Sequence, residues 1–337
     1  MFIKFLNIIL FCAIFLSASC APKPEYGFYQ KQKMLMGTIF KIKVFTDKNK
    51  LSRSDFDALA QKAFDEVSYL EAEMSEWRPD SPISKAALDS GKKSVVITSD
   101  IAHVIDMALD ISNESGGAFD ISFKPLGRLW NIKKRKIPPT KNEIEKAMAF
   151  VNYKNIILDK KNMTLFLKLK GMYIGLGGIA KGYAAGKAGD VLRLAGLHNF
   201  IINAGGDLFI SGNKNGEYWT SGIKNPKGDM FLKFKIKNDC AVVTSGDYER
   251  FFMYKGKKYH HIIDIRTGYP AYGLKSVTVI SENPALADAY ATTFFILGYD
   301  KALKIVKKKK GINFIMVDDA GNILKSPDIK NAIKIFN

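Results

Sequence analysis

Cysteine is scarce in this sequence, and no disulfide framework can be built from it. Only three of the 337 residues are cysteine, and Cys12 and Cys20 lie within the first 20 residues. Cys240 is the single thiol in the rest of the chain, and one thiol cannot form an internal disulfide. The roughly 315 residues that remain are enough to bury a large hydrophobic core without such cross-links.

Arginine is also rare, although the chain is strongly basic. The formal net charge is +18, but only seven of the 51 basic residues are arginine. The lysines are spread along the chain and lack the arginine clusters and interleaved aromatic side chains of a nucleic-acid-binding surface. The composition therefore predicts a solvated, lysine-rich surface that favours anionic lipid or an acidic partner, and no nucleic-acid partner.

No apolar run is long enough to cross a bilayer as a stop-transfer helix. The N-terminus carries Lys4, an apolar core over 8–15 and the small-residue segment Leu16-Ser-Ala-Ser-Cys20. This pattern predicts a signal peptide over residues 1–20, and its final cysteine resembles a bacterial lipoprotein cleavage site. We expect an exported protein that is lipid-anchored in the membrane through Cys20 and faces the periplasm. The alternative is an ordinary signal peptide cut near Cys20.

The folded part is predicted to begin at residue 33. Residues 21–32 are mostly polar and are interpreted as a tether, whereas Phe40, Ile42 and Val44 alternate as they would in a strand. No internal repeat is evident, so residues 33–337 are treated as one domain.

A glycine-rich stretch after Tyr173 is the clearest candidate for ligand binding. Gly175, Gly177 and Gly178 precede an amphipathic helix, and glycines allow positive φ or close approach of a ligand. A strand end, a glycine loop and a helix N-terminus together predict a phosphate site. The Walker pattern is absent because Lys181 is followed by glycine. A dinucleotide pattern, G-x-G-x-x-A, is present, but no acid ends the next strand, so a nicotinamide oxidoreductase is kept only as an alternative.

A second candidate lies on a helix predicted over Pro284 to Leu297. Asp288 and Thr292 are four residues apart, so their oxygens lie on the same face of that helix. Two hard oxygen ligands at this spacing suit Mg²⁺, which completes its coordination with phosphate and water. Alternatively, Asp288 interacts with the helix dipole and Thr292 bonds back to a carbonyl.

Three further positions carry side chains suited to a flat heteroaromatic ligand or to proton transfer. The loop Ser75-Glu76-Trp77 could stack an aromatic ring on such a ligand, or form a surface turn with Trp77 packed on the preceding helix. Asp120 could accept hydrogen bonds from a purine amine or a ring imide, or cap local amides. His261 is a candidate proton acceptor, with a strand histidine bonded to the backbone as the alternative.

Ordered blocks covering nearly the whole mature chain resemble the ApbE family, the FAD:protein FMN transferases. The matching blocks are Met36-Gly-Thr38, Met74-Ser-Glu-Trp-Arg-Pro-Asp-Ser81, Gly117-Ala-Phe-Asp120, Gly177-Gly-Ile-Ala-Lys-Gly-Tyr-Ala184, Asn203-Ala-Gly-Gly-Asp207, Thr244-Ser-Gly-Asp-Tyr-Glu-Arg250, His260-His-Ile-Ile-Asp264, Arg266-Thr-Gly-Tyr-Pro270 and Ala287-Asp288 through Thr292.

The resemblance implies an α+β fold, mainly antiparallel sheets with packed helices, whose two lobes form one domain and bind FAD. It implies Mg²⁺-dependent transfer of FMN from FAD to a threonine hydroxyl of an acceptor protein, with release of AMP. The acceptors would be flavoprotein subunits of respiratory or electron-transfer complexes. An FAD pyrophosphatase and a non-catalytic FAD-binding lipoprotein remain as alternatives.

Carried over position by position, the resemblance implies metal ligands at Gly178, Asp288 and Thr292. The implied FAD contacts are Met36, Ser75, Glu76, Trp77, Asp120, Lys181 and Ile262. Lys181 could add positive charge at the pyrophosphate, and His261 could take the proton of the acceptor hydroxyl. Many relatives carry aspartates where this chain has Gly175 and Gly186.

Overall fold

The computed structural model describes residues 23–224, 230–237 and 239–336. The predicted signal peptide and Cys20, the predicted lipidation site, lie outside these ranges. Among the described residues, no helix combines the length and the apolar character needed to span a membrane.

Short and medium strands make up much of the chain. In chain order they are β1 (Tyr26–Leu35), β2 (Thr38–Asp47), β3 (Val95–Val96), β4 (Ile156–Asp159), β5 (Thr164–Leu167), β6 (Phe200–Ala204), β7 (Asp207–Ser211), β8 (Thr220–Lys224), β9 (Met230–Ile236), β10 (Cys240–Gly246), β11 (Phe251–Tyr254), β12 (Lys257–His260), β13 (Ile263–Asp264), β14 (Tyr269–Pro270), β15 (Leu274–Ser281), β16 (Ile312–Asp318), β17 (Ile323–Lys325) and β18 (Ile333–Phe336).

Helices are inserted between groups of strands. They are α1 (Arg53–Met74), α2 (Pro82–Leu88), α3 (Ser99–Glu114), α4 (Lys124–Trp130), α5 (Lys141–Met148), α6 (Ala180–Leu194), α7 (Pro284–Leu297), α8 (Tyr299–Lys308) and α9 (Ile329–Ala332).

The main sheet is antiparallel throughout, in the order β1-β2-β6-β7-β10-β15-β16-β17. Both of its faces are covered. Along β10, Ala241 and Val243 join the core on the helix side, whereas Cys240 and Val242 join the core on the opposite side. This alternation follows from the two-residue period of a strand. The predicted α+β class is confirmed.

The helix side of the main sheet is covered chiefly by α1, α6 and α7. Helix α7 is capped by Asn283, whose Oδ1 accepts hydrogen bonds from the backbone N–H groups of Ala285 and Leu286 at 2.9 and 3.1 Å. It begins with a proline and ends at Gly298, where φ is 73°. Such start and stop signals explain why its predicted bounds are confirmed.

The opposite side of the main sheet is covered by a smaller antiparallel sheet in the order β18-β9-β8. Phe234 and Ile236 of β9 pack with residues of the main sheet such as Ile210 and Val242. Two layers of sheet therefore enclose a second, separate hydrophobic cluster.

Two local predictions are wrong. The tether was expected to extend to residue 32, but β1 begins at Tyr26 and pairs with β2 along its whole length. Side chains on both faces of this strand pack against other aromatic rings, Phe28 against Phe45 and Tyr29 against Phe56, which makes pairing favourable. A strand was also expected before the glycine loop, but residues 173–177 are irregular. An antiparallel sheet without that strand removes the basis for the dinucleotide-binding alternative.

Candidate active site

Tight turns bring a carboxylate to one end of the main sheet. The turn Gly205-Gly206 between β6 and β7 has φ values of 70° and 113°, which glycine adopts readily. The backbone N–H of Gly205 donates to the carbonyl of Ile39 at 3.1 Å, so this turn lies beside the β1–β2 turn that contains Met36. Asp207 follows, and its Oδ1 accepts a hydrogen bond from the backbone N–H of Thr244 at 3.4 Å.

Lys181, in the first turn of α6, is held by two carboxylates. Its Nζ forms an ion pair with Asp207 Oδ2 and lies 3.8 Å from Asp288 Oδ1. Burial alone would lower the pKa of Lys181, but the two negative charges outweigh it and the pKa is raised. The lysine is therefore fixed and remains protonated.

Asp288 of α7 lies at the N-terminus of α6. The backbone N–H of Gly182 donates to its Oδ2 at 3.0 Å, and the residue is only 5% exposed. Burial raises the pKa of Asp288 to about 6, against the opposing effect of Lys181. The two helices approach this closely because position 182 is glycine. A Cβ there would lie 2.1 Å from the carbonyl oxygen of Pro284.

The residues expected to bind metal come together at this point. Thr292 is one turn along α7 from Asp288, and its Oγ1 lies 3.3 Å from Ser245 Oγ. A Cβ placed on Gly178 would be 4.0 Å from the same Thr292 oxygen. A backbone carbonyl, a carboxylate and a hydroxyl are hard oxygen donors, and the carboxylate is already desolvated. This donor set fits Mg²⁺.

This set of oxygen donors differs from a metal site built only from histidine, cysteine and carboxylate side chains. Among the described residues, no group of three or more His, Cys, Asp or Glu side chains is arranged to hold a metal ion. A cation at Asp288 would thus require oxygens from the backbone, a hydroxyl and a phosphate-bearing substrate.

The two neighbouring histidines differ in their surroundings. His260 is buried, and its Nε2 is 2.6 Å from the carbonyl oxygen of Ala271. The Nδ1 of His261 is also buried but has no hydrogen-bond partner among the described residues. Burial, with the nearby positive charge of Arg250, lowers the pKa of His261 to about 4. Its imidazole is therefore neutral near pH 7.

A second cluster of opposite charges lies under the loop that follows α1. Lys124 is 5% exposed in its side chain, forms an ion pair with Glu76 and lies 3.5 Å from the centroid of the Trp77 ring. Arg128 covers the ring of Tyr173 at 3.9 Å. These residues border a cavity of about 240 Å³. Burial lowers the pKa of Lys124, and Glu76 opposes this shift.

Trp77 faces solvent at the mouth of this cavity. It is 75% exposed, so the alternative in which it packs back on its helix is wrong. Ser75 shapes the loop, because its carbonyl accepts hydrogen bonds from the hydroxyls of Ser81 and Ser84 and its Oγ accepts one from the N–H of Trp77. An exposed aromatic ring on a fixed loop is available for stacking on a flat ligand.

Gly175 and Gly186, where the family resemblance implies aspartates, are both in close contact with neighbouring residues. A Cβ on Gly175 would lie 2.3 Å from Glu76 Oε2, and one on Gly186 would lie 3.0 Å from Cγ of Pro284. None of the loop glycines 175, 177 and 178 has positive φ. Here the glycines provide space for neighbours, and Glu76 occupies the space that an acid at 175 would need.

Two predicted FAD contacts are engaged in local hydrogen bonds. Asp120 Oδ1 accepts from the backbone N–H and the hydroxyl of Ser122, at 2.7 and 2.6 Å, and Oδ2 accepts from the N–H of Tyr153 at 2.7 Å. The capping alternative for Asp120 is what the structure shows. Ile262 donates its N–H to His260 Nδ1, and its carbonyl accepts from the N–H of Ala271. Asp120 Oδ2 and the Ile262 carbonyl oxygen each accept only one hydrogen bond from the described residues and can accept another, so the contact of both residues with FAD stays a prediction.

Sequence reasoning missed Asp207 and Lys124 as members of the two clusters. Asp207 had a visible signal, since a glycine pair followed by an acid at a strand turn presents a carboxylate at the end of a sheet. Lys124 had none, because its partner Glu76 is 48 residues away in sequence.

Comparison with known proteins matches this chain to one family. Residues 36–316 match the profile of the ApbE family. The chain belongs to the ApbE family. It is 32% identical to the FAD:protein FMN transferase of Klebsiella pneumoniae, over 88% of this chain and 92% of that protein. It is 28% identical to the FAD:protein FMN transferase of Treponema pallidum, over 98% and 95% of the two chains.

Solved structures of the ApbE family share this fold. The ApbE protein of Thermotoga maritima superposes with a TM-score of 0.80 at 33% identity, covering 91% of this chain and 99% of its own. The flavin transferase ApbE of Vibrio cholerae gives a TM-score of 0.82 at 24% identity, covering 91% and 100%. The predicted family is therefore confirmed, together with its mixed helical and antiparallel architecture.

Proposed function

We propose that this chain transfers FMN from FAD to a threonine hydroxyl of an acceptor flavoprotein, using Mg²⁺ and releasing AMP. The observation that carries the proposal is the convergence of Lys181, Asp288 and Thr292 between the glycine loop and α7. The names of the relatives support the overall activity. The acceptors would be flavoprotein subunits of respiratory or electron-transfer complexes.

The metal-binding residues would be Gly178 through its carbonyl, Asp288 and Thr292. Bound there, Mg²⁺ would supply positive charge to neutralise the pyrophosphate and the developing charge at phosphorus. Asp288 is already free of bulk water, so its carboxylate interacts strongly with a cation once ionised.

Lys181 and His261 would handle charge and protons. Lys181, fixed by Asp207, would donate hydrogen bonds to pyrophosphate oxygens. The bond from the threonine oxygen to the FMN phosphorus forms as the bond from that phosphorus to AMP breaks. His261 is neutral, and its unpaired Nδ1 would accept the hydroxyl proton. An anionic pyrophosphate nearby would raise the low pKa of this imidazole.

The isoalloxazine ring of FAD would stack on Trp77. The Trp77 ring is exposed, and the Nζ of Lys124 lies over one of its faces. Lys124 and Arg128 together carry one more charge than Glu76, so the neighbouring cavity favours an anionic group.

Mass spectrometry of one reaction separates this function from its alternatives. The protein is incubated with FAD, Mg²⁺ and the apo form of a flavoprotein subunit that carries FMN on threonine. We expect a covalently fluorescent acceptor and an equal amount of AMP, both abolished by a chelator and by Asp288→Ala. Asp106→Ala is the matched control, because Asp106 is an exposed partner of Lys160.

The other outcomes point to the other functions. Free FMN and AMP without a labelled acceptor would identify an FAD pyrophosphatase. Intact FAD that stays bound in Mg²⁺ would identify a non-catalytic FAD-binding protein.

We also propose that the chain is exported and anchored in a bacterial membrane through a lipidated Cys20, facing the periplasm. The support is the pattern of the first 20 residues. Mass spectrometry of the mature N-terminal peptide should find a diacylglyceryl group on Cys20 that disappears in Cys20→Ser. An unmodified N-terminus elsewhere would contradict the anchor.

A further inference from the structure

The small sheet presents a row of lysines to solvent. Along β9, Leu232, Phe234 and Ile236 are buried against the main sheet. The alternate residues Lys233, Lys235 and Lys237 are exposed. On the adjacent strand β18, Lys334 is also exposed and is the direct partner of Lys235. We call these four residues, Lys233, Lys235, Lys237 and Lys334, the lysine face.

The lysine face lacks neutralising acids. Like charges directly opposite each other in a sheet destabilise the pair. Among the described residues, no carboxylate forms an ion pair with any of the four lysines. Some lysines on other surfaces are paired, as Lys160 is with Asp106 and Lys309 with Glu114. The uncompensated positive charge of this face therefore attracts an anionic partner.

A groove beside β18 extends this surface. Its cavity of about 580 Å³ is bordered by Lys237, Lys325, Lys330 and Lys334 together with three isoleucines. The Nζ of Lys237 donates to the carbonyl oxygen of Lys330 at 2.7 Å, which draws these segments together. Cationic groups around an apolar floor match an anionic headgroup attached to an acyl chain.

The path of the chain brings its N-terminal part to the same side. Phe28 of β1 contacts Trp219, which immediately precedes β8, with ring centroids 6.1 Å apart. The N-terminal end of β1 therefore lies next to the small sheet. Lys181 and Asp288 belong to helices that cover the other side of the main sheet. A surface bound to the lysine face would leave them uncovered.

We propose that the lysine face docks this protein onto a bilayer of anionic phospholipid. The occupant is a lipid surface because the charge is spread over two adjacent strands and continues into a groove lined by lysines and isoleucines. The attraction is electrostatic, so it weakens as salt increases. Lipid anchoring is not required for it, and neither is flavin transfer.

Co-sedimentation with vesicles tests the proposal. The mature chain, beginning at residue 20 and carrying Cys20→Ser, is mixed with phosphatidylcholine vesicles, with or without about one-third phosphatidylglycerol. The test variant combines Lys233→Gln, Lys235→Gln, Lys237→Gln and Lys334→Gln. The control combines Lys301→Gln, Lys304→Gln, Lys307→Gln and Lys308→Gln, four exposed lysines of α8, and removes the same charge.

We expect the test variant to lose on the order of a hundredfold in partitioning to phosphatidylglycerol vesicles, and the control to lose less than about threefold. The corresponding lysine-to-arginine variant should retain binding, which guards against a folding defect. Equal losses in test and control variants would show that net charge alone drives binding and would overturn the proposal. So would equal binding to neutral vesicles, or displacement by inorganic phosphate at constant ionic strength, which indicates an ion site.

Discussion

Two lysines, the half-buried Lys181 and the buried Lys124, are each held by acids, yet their surroundings carry opposite net charges. Lys181 faces two carboxylates, Asp207 and Asp288, so its cluster has an excess of one negative charge. Lys124 faces Glu76 and has Arg128 nearby, so its cluster has an excess of one positive charge. The pKa of Lys181 is raised and that of Lys124 is lowered.

This difference indicates what each cluster is suited to bind. A buried site with an uncompensated negative charge is stabilised by a cation, and one with an uncompensated positive charge by an anion. The Lys181 cluster therefore suits a metal ion together with phosphate, and the Lys124 cluster suits an anionic part of the substrate. The two lysine side chains are chemically identical, so the difference between the clusters comes only from the charged residues around each of them.

The largest expected effect is that of Asp288→Asn. We expect FMN transfer to fall about a thousandfold, because a metal contributes several kcal/mol to stabilising charge at phosphorus. The amide can still accept the hydrogen bond from Gly182, so the fold should persist. Transfer kinetics at saturating Mg²⁺ provide the measurement. Retention of near wild-type turnover would contradict the assignment of the Lys181 cluster as the cation site.

The same variant makes a prediction about stability. The folded-state pKa of Asp288, about 6, lies above its ordinary value of 3.8, so its stabilising contribution is present below 3.8 and lost as pH rises through 6. Asp288→Asn should therefore raise the melting temperature by roughly 2–5 °C at pH 8 and leave it unchanged near pH 4. Thermal unfolding without added metal, followed by circular dichroism, checks the difference.

Replacing each lysine with methionine should lower the free energy of unfolding by different amounts in the two clusters. Lys181→Met leaves two buried carboxylates facing each other, and we expect a loss of about 3 kcal/mol in the free energy of unfolding. Lys124→Met leaves only Glu76 without its partner, and should cost about 1–2 kcal/mol. Urea unfolding at pH 8 measures both values.

The pH dependence of these variants gives a control. In Lys181→Met the carboxylates take up a proton in the folded state, so its deficit should shrink as pH falls from 8 to 5. A smaller change is expected for Lys124→Met, because it leaves a single carboxylate, Glu76, with the positive charge of Arg128 still nearby. Equal deficits at both pH values would mean that the excess negative charge of the Lys181 cluster is not what distinguishes it.

Local signals accounted for much of the fold and for half of the site. Proline, glycine and capping residues defined α7, and the spacing of Asp288 and Thr292 placed both on one face of it. Contacts distant in sequence were not predictable. Lys181 and Asp207 are 26 residues apart, and nothing in either segment specifies the other. The segment from Tyr26 to Gln32 is predicted to be a tether because several of its residues are polar. It forms a strand because pairing with β2 stabilises it.

The contact between Gly175 and Glu76 offers a smaller test of the Lys124 cluster. Gly175→Asp places a side chain against the Glu76 carboxylate, and we expect a loss of about 1–3 kcal/mol in stability. Adding Glu76→Ala should recover most of that loss, because it removes both the overlap and the like charge. A double-mutant cycle by urea unfolding gives the coupling free energy. Additive effects would show that Glu76 does not restrict position 175.

Fluorescence of Trp77 gives the smallest expected effect and the most direct view of the Lys124 cluster. Trp77 is 75% exposed, whereas Trp130 and Trp219 are 0% and 3% exposed, so FAD stacked beside Lys124 should quench mainly Trp77. Trp77→Phe should remove most of the FAD-dependent quenching and weaken FAD binding only a few-fold, because phenylalanine retains a stacking face. Titration of both proteins with FAD measures the two quantities. If quenching persists in Trp77→Phe, the flavin ring lies elsewhere and the anion preference of the Lys124 cluster does not serve FAD.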